Sequence, residues 1–298
     1  MKRRIDSKTS RTAEFTCTAR CISYLEKRPL YHTGDYVSLE IMNSLVKLLL
    51  HFPPFVRSFL KCTPEGMYEY VIARTRYFDE AFQRALTDGT EQILILGAGF
   101  DSRGIRFAAD ASRARVFELD SPTTQTAKKK RYLQKHIPIP ENLTFVSVDF
   151  DKQRMEDRLL ACGFLQNKTT LVLMEGLTMY LQPESVEALL TTLHSLLGNG
   201  SMIVFDFIDA ALVSQNVIIE AESALVSSVE RSGEAFHFGL TPTQAAPFLL
   251  NAGFLLTDLS NADQLKERFF RDESCSGAVR INPTHHIATA RLDRQSLT

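Results

Sequence analysis

Along the N-terminal third of the chain, apolar side chains recur at helical spacing. Leu39, Met42, Leu45, Val46 and Leu49 share one helical face, and Pro53-Pro54 ends that run. A second helix is predicted from Thr63 as N-cap, with Pro64 in its first turn, to the neighbourhood of Gly89. No strand pattern precedes residue 92, so residues 1–90 read as a helical cap or substrate region on a core formed by 91–298. From Gln92 the pattern changes to strands alternating with helices. Predicted strands are Ile93–Leu96, Arg115–Leu119, Thr144–Val148, Thr170–Met174 and Ser201–Phe207, with helices clearest at Lys128–Gln134, Met155–Cys162 and Pro183–Leu197. Such alternation implies a mainly parallel α/β sheet covered on both faces. Residues 210–240 break the rhythm and read as a lid-like insertion. Thr241-Pro242 then opens a helix ending at Asn251-Ala-Gly253, and strands near Phe254–Leu259 and His286–Arg291 are expected to close the sheet as an antiparallel pair.

Composition narrows the class. Of 298 residues, 44% are hydrophobic and 23% charged, as in ordinary globular proteins. The net charge of −1 gives no global attraction to nucleic acid or an anionic membrane, and neither is expected as a partner. The basic run Lys128-Lys129-Lys130-Arg131 reads as a solvated helix face. Cys17, Cys21, Cys62, Cys162 and Cys275 lack paired metal-ligand spacing and read as reduced thiols of a cytoplasmic protein. The N-terminus is basic without an apolar run, so no secretory signal is expected. The apolar stretch Val37–Phe59 is interrupted by Lys47, Pro53, Pro54 and Arg57, which argues against a membrane span.

Candidate chemistry gathers at strand ends. Ile93–Leu96 runs into Gly97-Ala-Gly99, where glycines permit a tight turn and close approach of a ligand. Asp120 follows Gly99 by 21 residues, near the spacing of a carboxylate that binds ribose hydroxyls. The third glycine of a dinucleotide fingerprint is replaced by Ser102, which argues against a nicotinamide oxidoreductase, and no P-loop motif is present. Glu118, on the same strand face as Asp120, reads as a second site acid or as a solvated one. Asp149 closes the third strand and suits the exocyclic amine of an adenine, with Phe150 against the ring; its competing role is a helix cap. Glu175 closes the fourth strand beside Gly176, and Tyr180 is placed to shape a reaction cavity. His194, His237, His285 and His286 show neither triad nor metal spacing.

The run Gly97-Ala-Gly-Phe-Asp-Ser-Arg103 resembles the G-A-G-x-D-[ST]-R motif of the leucine carboxyl methyltransferase family, which includes bacterial and polyketide-tailoring O-methyltransferases. Arg11-Thr-Ala-Glu14, Ala73-Arg-Thr-Arg-Tyr-Phe-Asp79, Phe117-Glu-Leu-Asp-Ser-Pro122 and Glu175-Gly-Leu-Thr-Met-Tyr-Leu181 follow in the family's order. The resemblance implies a Rossmann-like, seven-stranded class I methyltransferase dependent on S-adenosyl-L-methionine. It places Arg74 at the methionine carboxylate of the cofactor, Gly97 and Gly99 along its methionine end, and Asp120 at the ribose. Asp149 and Phe150 fall at the adenine and Glu175 at the methionine amine. Arg20 falls where the family tends to place a basic residue near the cofactor carboxylate or the substrate.

A sulfonium methyl is already activated, so in-line transfer needs chiefly proximity and orientation. A carboxylate acceptor is ionised at neutral pH, whereas a hydroxyl needs a base, and no clear base stands out. The expected activity is therefore O-methylation of a carboxylate on a small molecule or a protein C-terminus. The alternatives are methylation of a hydroxyl on a polyketide-like metabolite, or a non-catalytic cofactor-binding protein. The sequence leaves the oligomeric state open.

Overall fold

The computed structural model describes residues 11–111, 113–150, 152–213, 235–271 and 279–294. Most of the predicted insertion at 210–240 lies outside these residues; of it, α10 (Ala210–Val213) and the segment 235–240 are described.

The strands predicted from sequence assemble into one seven-stranded sheet in the order β3-β2-β1-β4-β5-β7-β6. The parallel part comprises β1 (Gln92–Leu96), β2 (Arg115–Asp120), β3 (Leu143–Ser147), β4 (Thr170–Met174) and β5 (Met202–Ile208). β7 (His285–Leu292) runs antiparallel between β5 and β6 (Phe254–Ser260), the closing pair expected from sequence. The helices preceding the sheet are α1 (Arg11–Leu25), α2 (Tyr36–Ile41), α3 (Ser44–Leu49), α4 (Pro53–Cys62) and α5 (Met67–Thr87). Those following β1 are α6 (Arg103–Arg106), α7 (Pro122–Gln134), α8 (Met155–Ala161), α9 (Pro183–Leu196), α10, α11 (Pro242–Asn251) and α12 (Ala262–Phe269).

Both faces of each central strand are apolar, because helices cover both sides of the sheet. Ile93, Ile95, Leu171, Leu173 and Val204 point into one cluster shared with α1, α2, α5 and α12. Leu94, Leu96, Val172, Met174, Ile203 and Phe205 point into the other, under α8, α9 and α11. The helices of residues 11–87 thus share a continuous apolar cluster with one sheet face. No described helix is long and apolar enough to cross a membrane.

The helical N-terminal stretch is divided differently from the prediction. Pro53-Pro54 begin α4, because proline's fixed φ and missing N–H suit a first turn. Thr63 closes α4, its hydroxyl donating to the Phe59 carbonyl at 2.9 Å. Helix α5 starts only after Gly66, which takes φ +74° and whose missing Cβ would lie 2.4 Å from the Asn282 amide nitrogen. A side chain there would collide with backbone, which requires glycine.

Two surface expectations also fail. Lys128 is only 1% exposed and Glu118 is fully buried, and the two form an ion pair between α7 and β2. The lysine lies on the inward face of α7, so the basic run is not uniformly solvated. Burial raises the Glu118 pKa and the Lys128 ammonium opposes the rise, leaving it at about 7. Lys128→Met keeps most of the volume but strands the acid. It should cost about 3–5 kcal/mol at pH 8 and less at pH 5, where Glu118 takes a proton. Urea denaturation at both pH values checks this; an equal loss at each would contradict it.

Candidate functional site

The strand order reverses at β1, whose neighbours are β2 and β4, and ligands of open α/β sheets bind outside the strand ends at such a point. Two glycine turns border this crevice. Gly97 takes φ +63° after β1, and Gly176 takes φ +64° after β4. The turns approach closely: a Cβ at Gly97 would lie 2.9 Å from Leu177 Cδ1. Across β2, Asp120 spans the first turn. Its Oδ2 accepts the Gly99 amide at 2.6 Å and its Oδ1 the Ser121 amide at 2.6 Å. Burial raises the Asp120 pKa and these two N–H groups oppose the rise.

Ser102, which displaced the dinucleotide reading, has a structural partner. Its hydroxyl donates to Asp35 Oδ1 at 2.6 Å. Buried Asp35 caps α2 through the Ser38 amide at 3.0 Å and also pairs with Arg20 Nε at 2.9 Å. Arg20 reaches the Phe100 carbonyl at 2.8 Å, inside the glycine loop. One carboxylate therefore ties α1 and α2 to the loop after β1. Burial would raise the Asp35 pKa, but the Arg20 and Arg106 guanidiniums bring it down to about 2.

Arg103 continues the network inward. Its Nε donates to Asp79 Oδ1 at 2.8 Å and its Nη1 to Glu175 Oε2 at 2.7 Å, and it also pairs with Asp101. Arg106 grips Asp79 with both Nη atoms, at 2.8 and 2.7 Å. On α5, Arg74 Nη1 donates to Asp206 Oδ2 at 2.7 Å. Arg74 Nε lies 3.1 Å from Glu175 Oε1, within ion-pair range, but this buried N–H has no hydrogen-bond acceptor. Burial would raise the Glu175 pKa, yet Arg103, Arg74 and Arg20 hold it at about 2.

The structure thus gathers Arg20, Arg74, Gly97, Gly99, Asp120 and Glu175 at one edge of the sheet. Asp149 and Phe150 stand farther out, after β3. Asp149 does not cap α8, which begins at Met155; its side chain pairs with Lys152 at 3.0 Å, and Phe150 is 63% exposed. Tyr180 ends a short 3-10 turn, half-buried, its ring 5.6 Å from that of Phe236. His285 and His286 are buried at the start of β7. Burial, followed by Arg74 and His286, lowers His285 to about 3. Asp79 lies in the quoted motif Ala73–Asp79 but received no role there, and Asp35 and Asp206 escape a reading of the sequence. Of these last two, Asp206 carries a signal, as a lone acid within the apolar strand Met202–Ile208.

The depressed carboxyls predict acid sensitivity. Folded values below the unfolded ones mean that Glu175 and Asp35 stabilise the native state fully above about pH 4.5 and lose this as pH falls toward 2, on the order of 2 kcal/mol each. Urea midpoints measured from pH 6 to pH 2.5 should fall in that window. Asp35→Asn should flatten the fall; an unchanged slope would refute the assignment.

The family model described as leucine carboxyl methyltransferase matches residues 57–194. Two relatives bear the name "Putative S-adenosyl-L-methionine-dependent methyltransferase". YktD of Bacillus subtilis is 28% identical over 260 residues, covering 84% of this chain and 85% of its own. The Saccharopolyspora erythraea protein is 35% identical over 145 residues, covering 49% of this chain and 50% of its own. Among solved structures, a DUF574 family protein from Streptomyces avermitilis superposes with TM-score 0.57 at 15% identity, covering 97% of this chain and 99% of the other. A Thermobifida fusca structure titled "putative methyltransferase" gives 0.56 at 17% identity, over 95% and 98%. The two structures share the fold; the sequence matches and the motifs at the sheet edge go further. Over residues 57–194 the chain resembles the leucine carboxyl methyltransferase family, and it is an S-adenosyl-L-methionine-dependent methyltransferase.

Proposed function

We propose that this enzyme methylates a carboxylate oxygen of a small molecule or a protein C-terminus. The observation that carries the reading is that the acids bordering the crevice are already paired with guanidiniums, Glu175 with Arg103 at 2.7 Å and Asp35 with Arg20 at 2.9 Å. Glu175 and Asp35 are held near 2 and His285 near 3, far below the value that suits a general base at neutral pH. Glu118, near 7, is sealed against Lys128 beneath α7, out of reach of an acceptor. An acceptor that arrives already ionised needs none of them.

The residues present fit the cofactor. In the network joining α1, α5 and the strand ends, Asp35, Asp79, Asp101, Glu175 and Asp206 face Arg20, Arg74, Arg103 and Arg106, one acid more than the bases. That excess suits a sulfonium cation. The unsatisfied Nε–H of Arg74 suits the amino-acid carboxylate, and Glu175 the ammonium beside it. Gly97 and Gly99 leave room for the chain of the cofactor, and Asp120 suits the ribose. Asp149 and Phe150, farther out, suit the adenine, and the exposed Phe150 ring is free to pack against a base. Arg20 steadies the loop from the cap side. Bound S-adenosyl-L-methionine supplies an electrophilic methyl, so the protein's task is to hold the two reactants in line. The free thiols Cys17, Cys21, Cys62 and Cys162 accord with a cytoplasmic setting.

Incubation with methyl-labelled S-adenosyl-L-methionine and candidate carboxylates should give label that base releases as volatile methanol. Base-stable label would instead report a methyl ether and a hydroxyl acceptor. Asp120→Ala should weaken cofactor binding by about 1–3 kcal/mol in calorimetric titration. Gly97→Val should abolish it, since its Cβ meets Leu177 and its φ is left-handed. Parental affinity in both variants would show that the cofactor lies elsewhere.

A further inference from the structure

Asp206 sits in the carboxyl-terminal half of β5, between Phe205 and Phe207, and is fully buried. Burying a carboxylate in an apolar strand is costly unless charge and hydrogen bonds compensate it. Here every nearby partner belongs to the crevice. Oδ2 accepts from Arg74 Nη1 at 2.7 Å and from the Tyr70 hydroxyl at 3.1 Å, both on α5. Oδ1 accepts the Gly176 amide at 2.6 Å, in the turn that carries Glu175. The Asp206 carbonyl accepts the Thr178 hydroxyl at 2.7 Å, on the far side of the same turn. One carboxylate therefore fixes α5 and the β4 turn relative to each other.

Its two oxygens divide the work. Oδ2 directs one end of the Arg74 guanidinium into the strand, which leaves Nε–H turned toward Glu175 without an acceptor. Oδ1 holds the left-handed Gly176, where a Cβ would lie 3.3 Å from Arg74 Nη1. Arg74 and the turn are thus packed against each other, and a shift of either moves the other.

We infer that Asp206 is the positioning residue for the amino-acid end of the cofactor, acting through Arg74 and the Gly176 turn rather than by touching the ligand. This rests on the reading that Arg74 and Glu175 receive the cofactor's carboxylate and ammonium. It restricts what a substitution does. Loss of the Asp206 charge frees the guanidinium to swing toward Glu175 and weakens only those ligands that carry an amino-acid end.

Calorimetric titration of the full chain with two neutral thioethers tests this. S-adenosylhomocysteine carries the amino-acid end, and 5′-methylthioadenosine lacks it. Asp206→Asn preserves the shape and an acceptor for the Gly176 amide. It should weaken S-adenosylhomocysteine about tenfold and change 5′-methylthioadenosine less than about twofold. Tyr70→Phe removes only the O–H that steadies Oδ2, and should show the same selectivity at about two- to threefold; it serves should Asp206→Asn not fold. In an Arg74→Ala background Asp206→Asn should add nothing, because the Arg74 contact is gone and Asn still accepts the Gly176 amide. Equal weakening of both ligands would mean a merely structural role and overturn the inference, as would unchanged affinity for both. If Arg74→Ala itself left S-adenosylhomocysteine affinity intact, the reading of Arg74 would fall, and with it this consequence. Loss with Arg74→Ala but none with Asp206→Asn would retain the first and reject the second.

Discussion

The site depends on a buried chain of arginine–carboxylate pairs laid across the carboxyl ends of β1, β4 and β5. It runs from Arg20 and Asp35 under the N-terminal helices, through Arg106, Asp79 and Arg103, to Glu175, Arg74 and Asp206. Charges this deep are tolerable only when paired in good geometry, because each one desolvated alone costs several kcal/mol. The helices and the sheet edge are therefore not independent. Displacing α5 strands Asp206, and displacing α1 and α2 strands Arg20 or Asp35. The groups that border the candidate crevice are also the ones that hold the layers in register.

That arrangement sets the chemistry. Guanidiniums neutralise the carboxylates so fully that Glu175 and Asp35 are poor bases at neutral pH. The crevice is suited to hold and orient charge rather than to move protons. A reaction whose electrophile is already activated asks for little more, and a carboxylate acceptor asks for least. The single excess acid of the network favours a cation, and the unsatisfied Arg74 N–H favours an anion beside it. A zwitterionic amino acid adjoining a sulfonium meets both conditions.

Much of this architecture is legible in the order of the amino acids. The seven strands fall within a residue or two of the limits that periodicity predicts, because the central strands bury both faces and read as largely apolar runs closed by a glycine or an acid. Gly97, Gly99, Asp120 and Glu175 stand out because they end those runs, where open sheets present ligands. The helical stretch is harder to read. Thr63-Pro64 has the form of a helix start, yet Pro53-Pro54 serve as one and Thr63 ends the helix they begin. Both prolines and threonines suit either side of a helix boundary, and only the packing of Gly66 against Asn282 decides where α5 begins.

The sequence by itself determined the fold class, the glycine turn and the acids at the strand ends, since these follow from local periodicity and from backbone conformations that only certain residues adopt. The partners were decided by tertiary structure. Lys128 read as part of a solvated face and Glu118 as either a site acid or a solvated one, and they proved to be a buried pair, because the helix face and strand face that carry them meet only when the layers stack. Ser102 read as a missing glycine and proved to be a donor to Asp35, a residue 67 positions away in the chain. Asp206 gains its role from α5, 132 residues earlier at Arg74. A charge in a sequence announces only that it needs compensation. Which group compensates it is fixed by which surfaces the fold brings together.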